Sequence, residues 1–431
     1  MTDSRSGSPW RVRDFRTLFT ATTLSQLGTN AGYVAVPLVA VAALDASPGE
    51  VGALAAFSTL AFLLIGLPAG AWVDRMRHRS VLIGADLARA ALNASVPVAW
   101  WLDALTLGHL FVVVLLTGCA TVFFDVGSQS TLPGLVGREA LVGANSAVVS
   151  LQAVSNIAGR GAGGGLVQAL TAPVAVLFTA LAHLASALRL VALGGREAPP
   201  RAARRAPLRA QIAEGLCHVL GSPELRALVL TAALTNLGVQ MVNTLLPVLF
   251  VRELGLSASA LGLFWAAGGL GLLLGARCAR PLAAGLGHGR TLALVGPLLA
   301  PAVLLVPLVA DGPWLWAAGA GWVLAMARIG TENVLSVSLR QRMTPDELLG
   351  RMNATFRFML TGALAVGAAL SGLLGEVAGV RVTLWAGAVV ASLSFLPVLL
   401  SPLRVGRAGV AHVTVSLRNA RGYNPDPAEP V

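Results

Sequence analysis

Arg328 and Glu332 stand four residues apart inside a long apolar stretch, a spacing that puts a cation and a carboxylate on one helix face. In an apolar setting such a pair is either a fixed intrahelical ion pair or a carboxylate that exchanges partners as it gains and loses a proton, and the carboxylate is the expected proton carrier. Asp125, close to the end of another apolar stretch, is a second candidate for that role, in a position where a hydrated charge costs little. Arg160 lies well inside an apolar run, which costs several kcal/mol unless the guanidinium is paired or hydrated. With Gln152 and Asn156 it recurs at i, i+4 and i+8 and forms one polar stripe, facing either a cavity or a structural partner on a neighbouring helix. Gln26, Asn30 and Tyr33 make a similar face, as do Asn236, Gln240 and Asn243. Each set either lines a solute path or bridges helices through hydrogen bonds, which average ~0.6 kcal/mol in membranes.

Other chemistries lack their residues. Cys119, Cys217 and Cys278 are far apart and have neither disulfide nor zinc-ligand spacing, and the histidines form no HExxH. The glycine-rich runs at 161–165 and 268–275 read as helix-packing surfaces, because the chain has no lysine and so no Walker motif. Neither cofactor nor metal is expected. The polar residues form no nucleophile–base set and no paired carboxylates, so a polytopic membrane enzyme is an alternative without a catalytic constellation.

Elements that position these side chains must lie in a bilayer. A mean hydropathy of +0.75 with 12% charged residues leaves too little polar surface for a soluble globule. The formal charge of +11 would point to nucleic acid in a soluble protein, but these arginines sit in short connections and tails, so membrane orientation is their expected role. A hydrocarbon core of ~30 Å needs ~20 apolar residues per helix. Twelve segments meet this requirement, at 17–43, 50–73, 80–101, 106–128, 143–170, 172–194, 226–251, 258–280, 290–310, 313–337, 355–377 and 381–402. Arg11, Arg13 and Arg16, then Arg75, Arg77 and Arg79, Arg138, Arg340, Arg342 and Arg351 fall on one side, the expected cytoplasmic side, with both termini. Asp45, Glu50, Asp103 and Asp311, with Trp100, Trp101, Trp314 and Trp316, fall on the other.

A polar stretch at 195–225 divides these spans six and six, and its residues 210–220 have the spacing of an interfacial helix. The expected domains are therefore a six-helix bundle over 1–194, a cytoplasmic linker over 195–225, a second bundle over 226–403 and a tail over 404–431. A shift of 208 positions places Glu139 on Glu347, Leu141 on Leu349, Asn145 on Asn353, Gly159 on Gly367 and Gly164 on Gly372. This repeat predicts an all-α membrane protein with twelve transmembrane helices in two pseudo-symmetric bundles.

Between the second and third spans, Gly66-Leu-Pro-Ala-Gly70-Ala-Trp-Val-Asp74-Arg75-Met-Arg77-His78-Arg79 joins a close-packing glycine pair to a carboxylate and a basic run. This segment resembles the hairpin signature of major facilitator superfamily transporters. Phe15-Arg16-Thr-Leu-Phe19, Leu132-Pro133 through Asn145, Ser222-Pro223-Glu-Leu-Arg226 and Arg340-Gln341-Arg342 through Asn353 resemble the branch of macrolide and siderophore exporters. The resemblance implies a conformational gate formed by Gly66, Gly70, Asp74, Arg75 and Arg79, with the aspartate meeting the start of the eleventh helix. It also implies that the first and seventh helices line the cavity. At 159–165 the sequence carries Arg160 where antiporters of this kind have proline.

The expected function is secondary active transport, a proton-coupled efflux of small, largely apolar molecules such as a drug, antibiotic or siderophore, by alternating access. A transporter-like sensor without flux is a further alternative. The expected partners are a small-molecule substrate, the proton and the lipid bilayer, in a monomer of a bacterial cell membrane.

Overall fold

The computed structural model describes residues 8–73, 75–194 and 208–405. Asp74, residues 195–207 of the polar linker and the tail from 406 lie outside them. Helices α1 (Arg13–Leu38), α2 (Pro48–Val73), α3 (His78–Trp101), α4 (Leu107–Ala169) and α5 (Ala172–Val191) build the N-terminal half. A short α6 (Leu208–Gly221) leads to the C-terminal half, made of α7 (Pro223–Pro247), α8 (Ala258–Leu286), α9 (His288–Leu299), α10 (Pro313–Arg342), α11 (Leu349–Ala378) and α12 (Val380–Leu393). Ten stretches of the described chain are long and apolar enough to cross a bilayer. The second arm of α4 and the charge-bearing α10 complete the twelve crossings.

The fourth and fifth predicted spans are joined by continuous helix rather than by a loop. Drawn straight, so long a helix would reach about 95 Å, three times the hydrocarbon thickness. Yet Asp125 on its first arm and Arg160 on its second line one cavity, so the path turns back between them, where Pro133 and Gly134 occur. The interfacial helix expected at 210–220 is α6, which packs on α7 and α11 and pairs Glu214 with Arg351 at 2.5 Å.

The two halves repeat one another in detail. Pro37 and Pro247 each withhold a backbone N–H near the end of a helix, and each is followed by a π-helical stretch, Val39–Ala43 and Val248–Glu253. Asp45 (φ 51°) and Gly255 (φ 62°) then turn the chain in the left-handed region. Ser47 and Ser257 begin the following helices. The Ser47 hydroxyl accepts from Glu50 N at 3.3 Å while the Glu50 carboxylate accepts from Ser47 N at 2.8 Å, and the Ser257 hydroxyl accepts from Ala260 N at 3.1 Å.

Between the halves, α2 packs on α11 and the second arm of α4 packs on α8. Both contacts turn on glycine pairs. A Cβ on Gly52 would stand 2.2 Å from Gly372 Cα, and one on Gly164 would stand 2.8 Å from Gly262 Cα. With no hydrophobic drive between helices in lipid, such close backbone approach supplies the dispersion contact that holds them together. All four glycines lie within about two turns of the end bearing Asp45, Asp103 and Asp311, here termed the acidic end.

Hydrogen bonds reinforce this closure. Arg252 donates to Ala46 O at 2.7 Å and to Val41 O at 3.1 Å and pairs with Asp45 at 2.8 Å, while Glu376 accepts from Gly49 N at 2.8 Å. The halves also touch deeper, where the Arg357 guanidinium lies 4.3 Å from the centroid of the Phe62 ring.

Candidate functional site

Beneath the closed acidic end lies a cavity of about 380 Å³ lined from both halves. Tyr33, Ser58, Asn93, Asp125 and Arg160 face it from the N-terminal half, and Gln240, Asn243 and Trp265 from the C-terminal half. Its size is that of a pocket for a small organic molecule. The Arg160 guanidinium lies between two rings, 5.5 Å from the centroid of Tyr33 and 6.0 Å from that of Trp265. Trp265 Nε1 donates to Asn243 Oδ1 at 2.8 Å, which fixes the indole.

The other predicted polar residues are dispersed. Gln152 is exposed, and Asn156 packs where α8 passes, its Oδ1 3.2 Å from the Cβ position of Gly269. Asn30 is buried against Gly159 and donates to Gln26 O at 2.8 Å, and Gln26 is half-buried one turn earlier. The counterpart of Asn30 in the second half is Gln240, which packs against Gly367 as Asn30 does against Gly159 and donates to Thr244 Oγ1 at 3.2 Å. Asn236 lines a separate pocket.

That second pocket, about 60 Å³ within the C-terminal half, is lined by Glu332 together with Ser336 and Arg340. Glu332 pairs with Arg328 at 3.0 Å. Arg328 donates at 2.9 Å to both Thr235 Oγ1 and Ser394 Oγ, so one guanidinium ties α10 to α7 and to the turn after α12. The carboxylate therefore opens on a small cleft of its own half and not on the central cavity.

Sequence reasoning passed over a matching cluster in the N-terminal half. Asp86 and Arg89 on α3 are fully buried and hydrogen-bonded to each other. Arg89 also donates to Ser25 Oγ at 2.9 Å and lies 4.4 Å from the centroid of the Phe124 ring, beside Asp125. Asn93 donates to Arg89 O at 2.8 Å. Buried His183 stands 2.7 Å from Thr179 O through Nδ1 and 3.3 Å from Thr29 Oγ1 through Nε2. The signal was present: Asp86, Arg89 and Asn93 recur on one face of an apolar span just as Arg328 and Glu332 do.

Of the predicted gate, Asp74 lies outside the described residues, and Arg75 is exposed in the turn that follows α2. Gly66 sits beneath the Phe62 ring, and Gly70 lies in the last two turns of α2. Arg79 donates to Val191 O and joins the start of α3 to the end of α5. Among the described residues no group of His, Cys, Asp and Glu side chains is placed to hold a metal ion.

Two six-helix halves around a central cavity, sealed together at one end, define a secondary transporter of the major facilitator superfamily. The transmembrane secretion effector family matches residues 4–417, and the chain belongs to it. It is a transporter and not an enzyme. Among curated relatives, it is 29% identical to the multidrug efflux pump Tap of Mycolicibacterium fortuitum over 357 residues, which is 79% of this chain and 83% of Tap. It is 29% identical to the enterobactin exporter EntS of Citrobacter koseri over 371 residues, 84% of this chain and 85% of EntS. The fold is that of the nucleoside transporter NupG (TM-score 0.73, 11% identity, 90% of this chain and 100% of NupG). It is also that of a bacterial homologue of the iron transporter ferroportin (TM-score 0.69, 17% identity, 90% and 99%).

Proposed function

We propose that this protein exports small, largely apolar organic molecules from a bacterial cell by alternating access, driven by the proton gradient. The observation that carries the reading is the 380 Å³ cavity lined from both halves beneath an inter-half seal. Rocking the halves about such a cavity would open the sealed end and close the other. The two exporters among its relatives support the outward direction. The arginine-rich connections support an orientation with both termini in the cytoplasm and the acidic end outside. A monomer is part of the same reading, supported by a cavity that a single chain lines from both halves.

Proton coupling is assigned to Glu332 with Arg328, with Asp125 as the second carboxylate. Protonating Glu332 would release Arg328, whose hydroxyl partners reach α7 and the end of α12, and so would loosen one corner of the C-terminal half. The latch at Asp74 and Arg75 belongs to the same reading, as a charge-assisted contact of the cytoplasmic gate.

The test is uptake of a neutral lipophilic dye such as N-phenyl-1-naphthylamine into inside-out vesicles that contain the protein. Accumulation should follow an imposed pH gradient and collapse with a protonophore. Dye binding to the purified protein with no gradient-driven uptake would instead support a sensor.

A further inference from the structure

The central cavity holds an arginine that has no anionic partner among the described residues. Arg89 and Arg328, also deep in their spans, are met by a carboxylate and by hydroxyls. Arg381, at the acidic end, is met by the carbonyls of Pro307 and Val309. Arg160 has two aromatic rings instead. Its Nε is buried without a hydrogen-bond partner, and among the described residues no carboxylate comes within 4.0 Å of it.

Among the described residues Asp125 is the one carboxylate that lines the same cavity, and it sits at a different depth. Counted from the acidic end of each α4 arm, at Leu107 and Ala169, Asp125 lies roughly 13 Å further in than Arg160. The Arg160 backbone is also held in place, because its carbonyl oxygen lies 2.8 Å from the Cβ position of Gly262 in the α4–α8 contact. A guanidinium on a fixed helix, flanked by rings and short of a counter-charge, retains most of its desolvation cost, since ring faces offset only part of it. An anion brought by the ligand removes that deficit, and a planar carboxylate matches the guanidinium fork.

We propose that Arg160, between Tyr33 and Trp265, is the anion-recognition site of this cavity, and that the cargo is a small organic acid with an aromatic or apolar body. The carboxylate sits on the guanidinium, and the body lies against the two rings and the apolar wall formed by Val36, Pro37 and Leu54. The word cargo rests on the transport reading above; the site itself does not.

The test is calorimetric binding of 2-naphthoate and 2-naphthamide to the full-length protein in lipid nanodiscs. The two probes match in size and differ in charge. Wild type should bind the acid about tenfold or more tightly than the amide, the ratio expected from one charge-assisted hydrogen bond of about 1.4 kcal/mol. Arg160→Gln should bind both alike. Equal affinities in wild type, or an acid preference that survives in Arg160→Gln, would overturn the proposal. Should Arg160→Gln not fold, Val36→Cys with Cys119, Cys217 and Cys278 changed to serine supplies a second readout. Naphthoate should protect that thiol from maleimide at concentrations where the amide does not, and a lack of protection counts against the site. Naphthoate binding without gradient-driven flux would sink the transport reading and leave this site standing, whereas flux with no acid preference would do the reverse.

Discussion

Gly164 on the second arm of α4 and Gly262 on α8 pack backbone to backbone, so that a Cβ on either residue would stand 2.8 Å from the Cα of the other. Across the repeat, Gly372 on α11 and Gly52 on α2 also pack backbone to backbone, a Cβ on Gly52 standing 2.2 Å from Gly372 Cα and one on Gly372 2.9 Å from Gly52 Cα. The two pairs seal the halves at the acidic end, and a side chain at any of the four positions has no space there.

Gly262→Leu is accordingly expected to leave each half folded while holding the acidic end apart, at an overpacking cost of about 1–3 kcal/mol in the sealed state. Val36→Cys on the cavity wall of an otherwise cysteine-free chain should react slowly with an impermeant maleimide supplied at the acidic end. Adding Gly262→Leu should speed that labelling severalfold. Unchanged labelling would mean that the glycine contact does not hold the seal.

Arg252 separates two contributions to the same closure. Its partner Asp45 is 95% exposed, so the ion pair itself adds little, whereas the bonds to Ala46 O and Val41 O cross between the halves from a charged donor. Asp45→Asn should hardly alter transport. Arg252→Ala should shift the balance of sealed and open states about tenfold or more, read as faster labelling of a cavity cysteine by an impermeant reagent from outside. Equal effects of the two substitutions would contradict this division.

Asp86 and Arg89 form a buried pair, and breaking such a pair is far costlier than replacing it. Arg89→Met should destabilise the N-terminal half by about 3–5 kcal/mol, because it strands a buried carboxylate. The double change Asp86→Leu with Arg89→Met should recover much of that loss. Thermal melting in one detergent, compared across the single and double variants, checks the sign of the coupling.

Glu332→Gln should abolish dye accumulation driven by a pH gradient while preserving exchange of dye across the membrane without one. The amide keeps the shape of the side chain and its contact with Arg328 but cannot carry the proton. Wild-type accumulation in Glu332→Gln would move coupling to Asp125, and Asp125→Asn is then the variant to measure.

The fold was legible because its causes are local. Span length, the run of arginines on one side and the 208-residue shift each follow from what a bilayer tolerates at every residue, and they led to twelve helices in two related halves. The polar stripes were legible only as stripes. Helical spacing states that Gln152, Asn156 and Arg160 share a face, but the width of that face spans exposed surface, a helix contact and the cavity, so the three residues have three different surroundings. Likewise Gln26, Asn30 and Tyr33 share a face, yet Asn30 is buried against Gly159 and Tyr33 opens on the cavity.

What only the tertiary structure decided is which charges find partners. The sequence offered Arg328 with Glu332 because both lie on one helix, and the pair forms at 3.0 Å. It could not pair Arg252 with the segment at 41–46, about two hundred positions away, nor bring Ser25 to Arg89, nor set Arg160 between Tyr33 and Trp265. Those relationships depend on how helices far apart in the chain approach, and glycine pairs such as Gly164 and Gly262 set that approach through shape, a property no single segment of sequence contains.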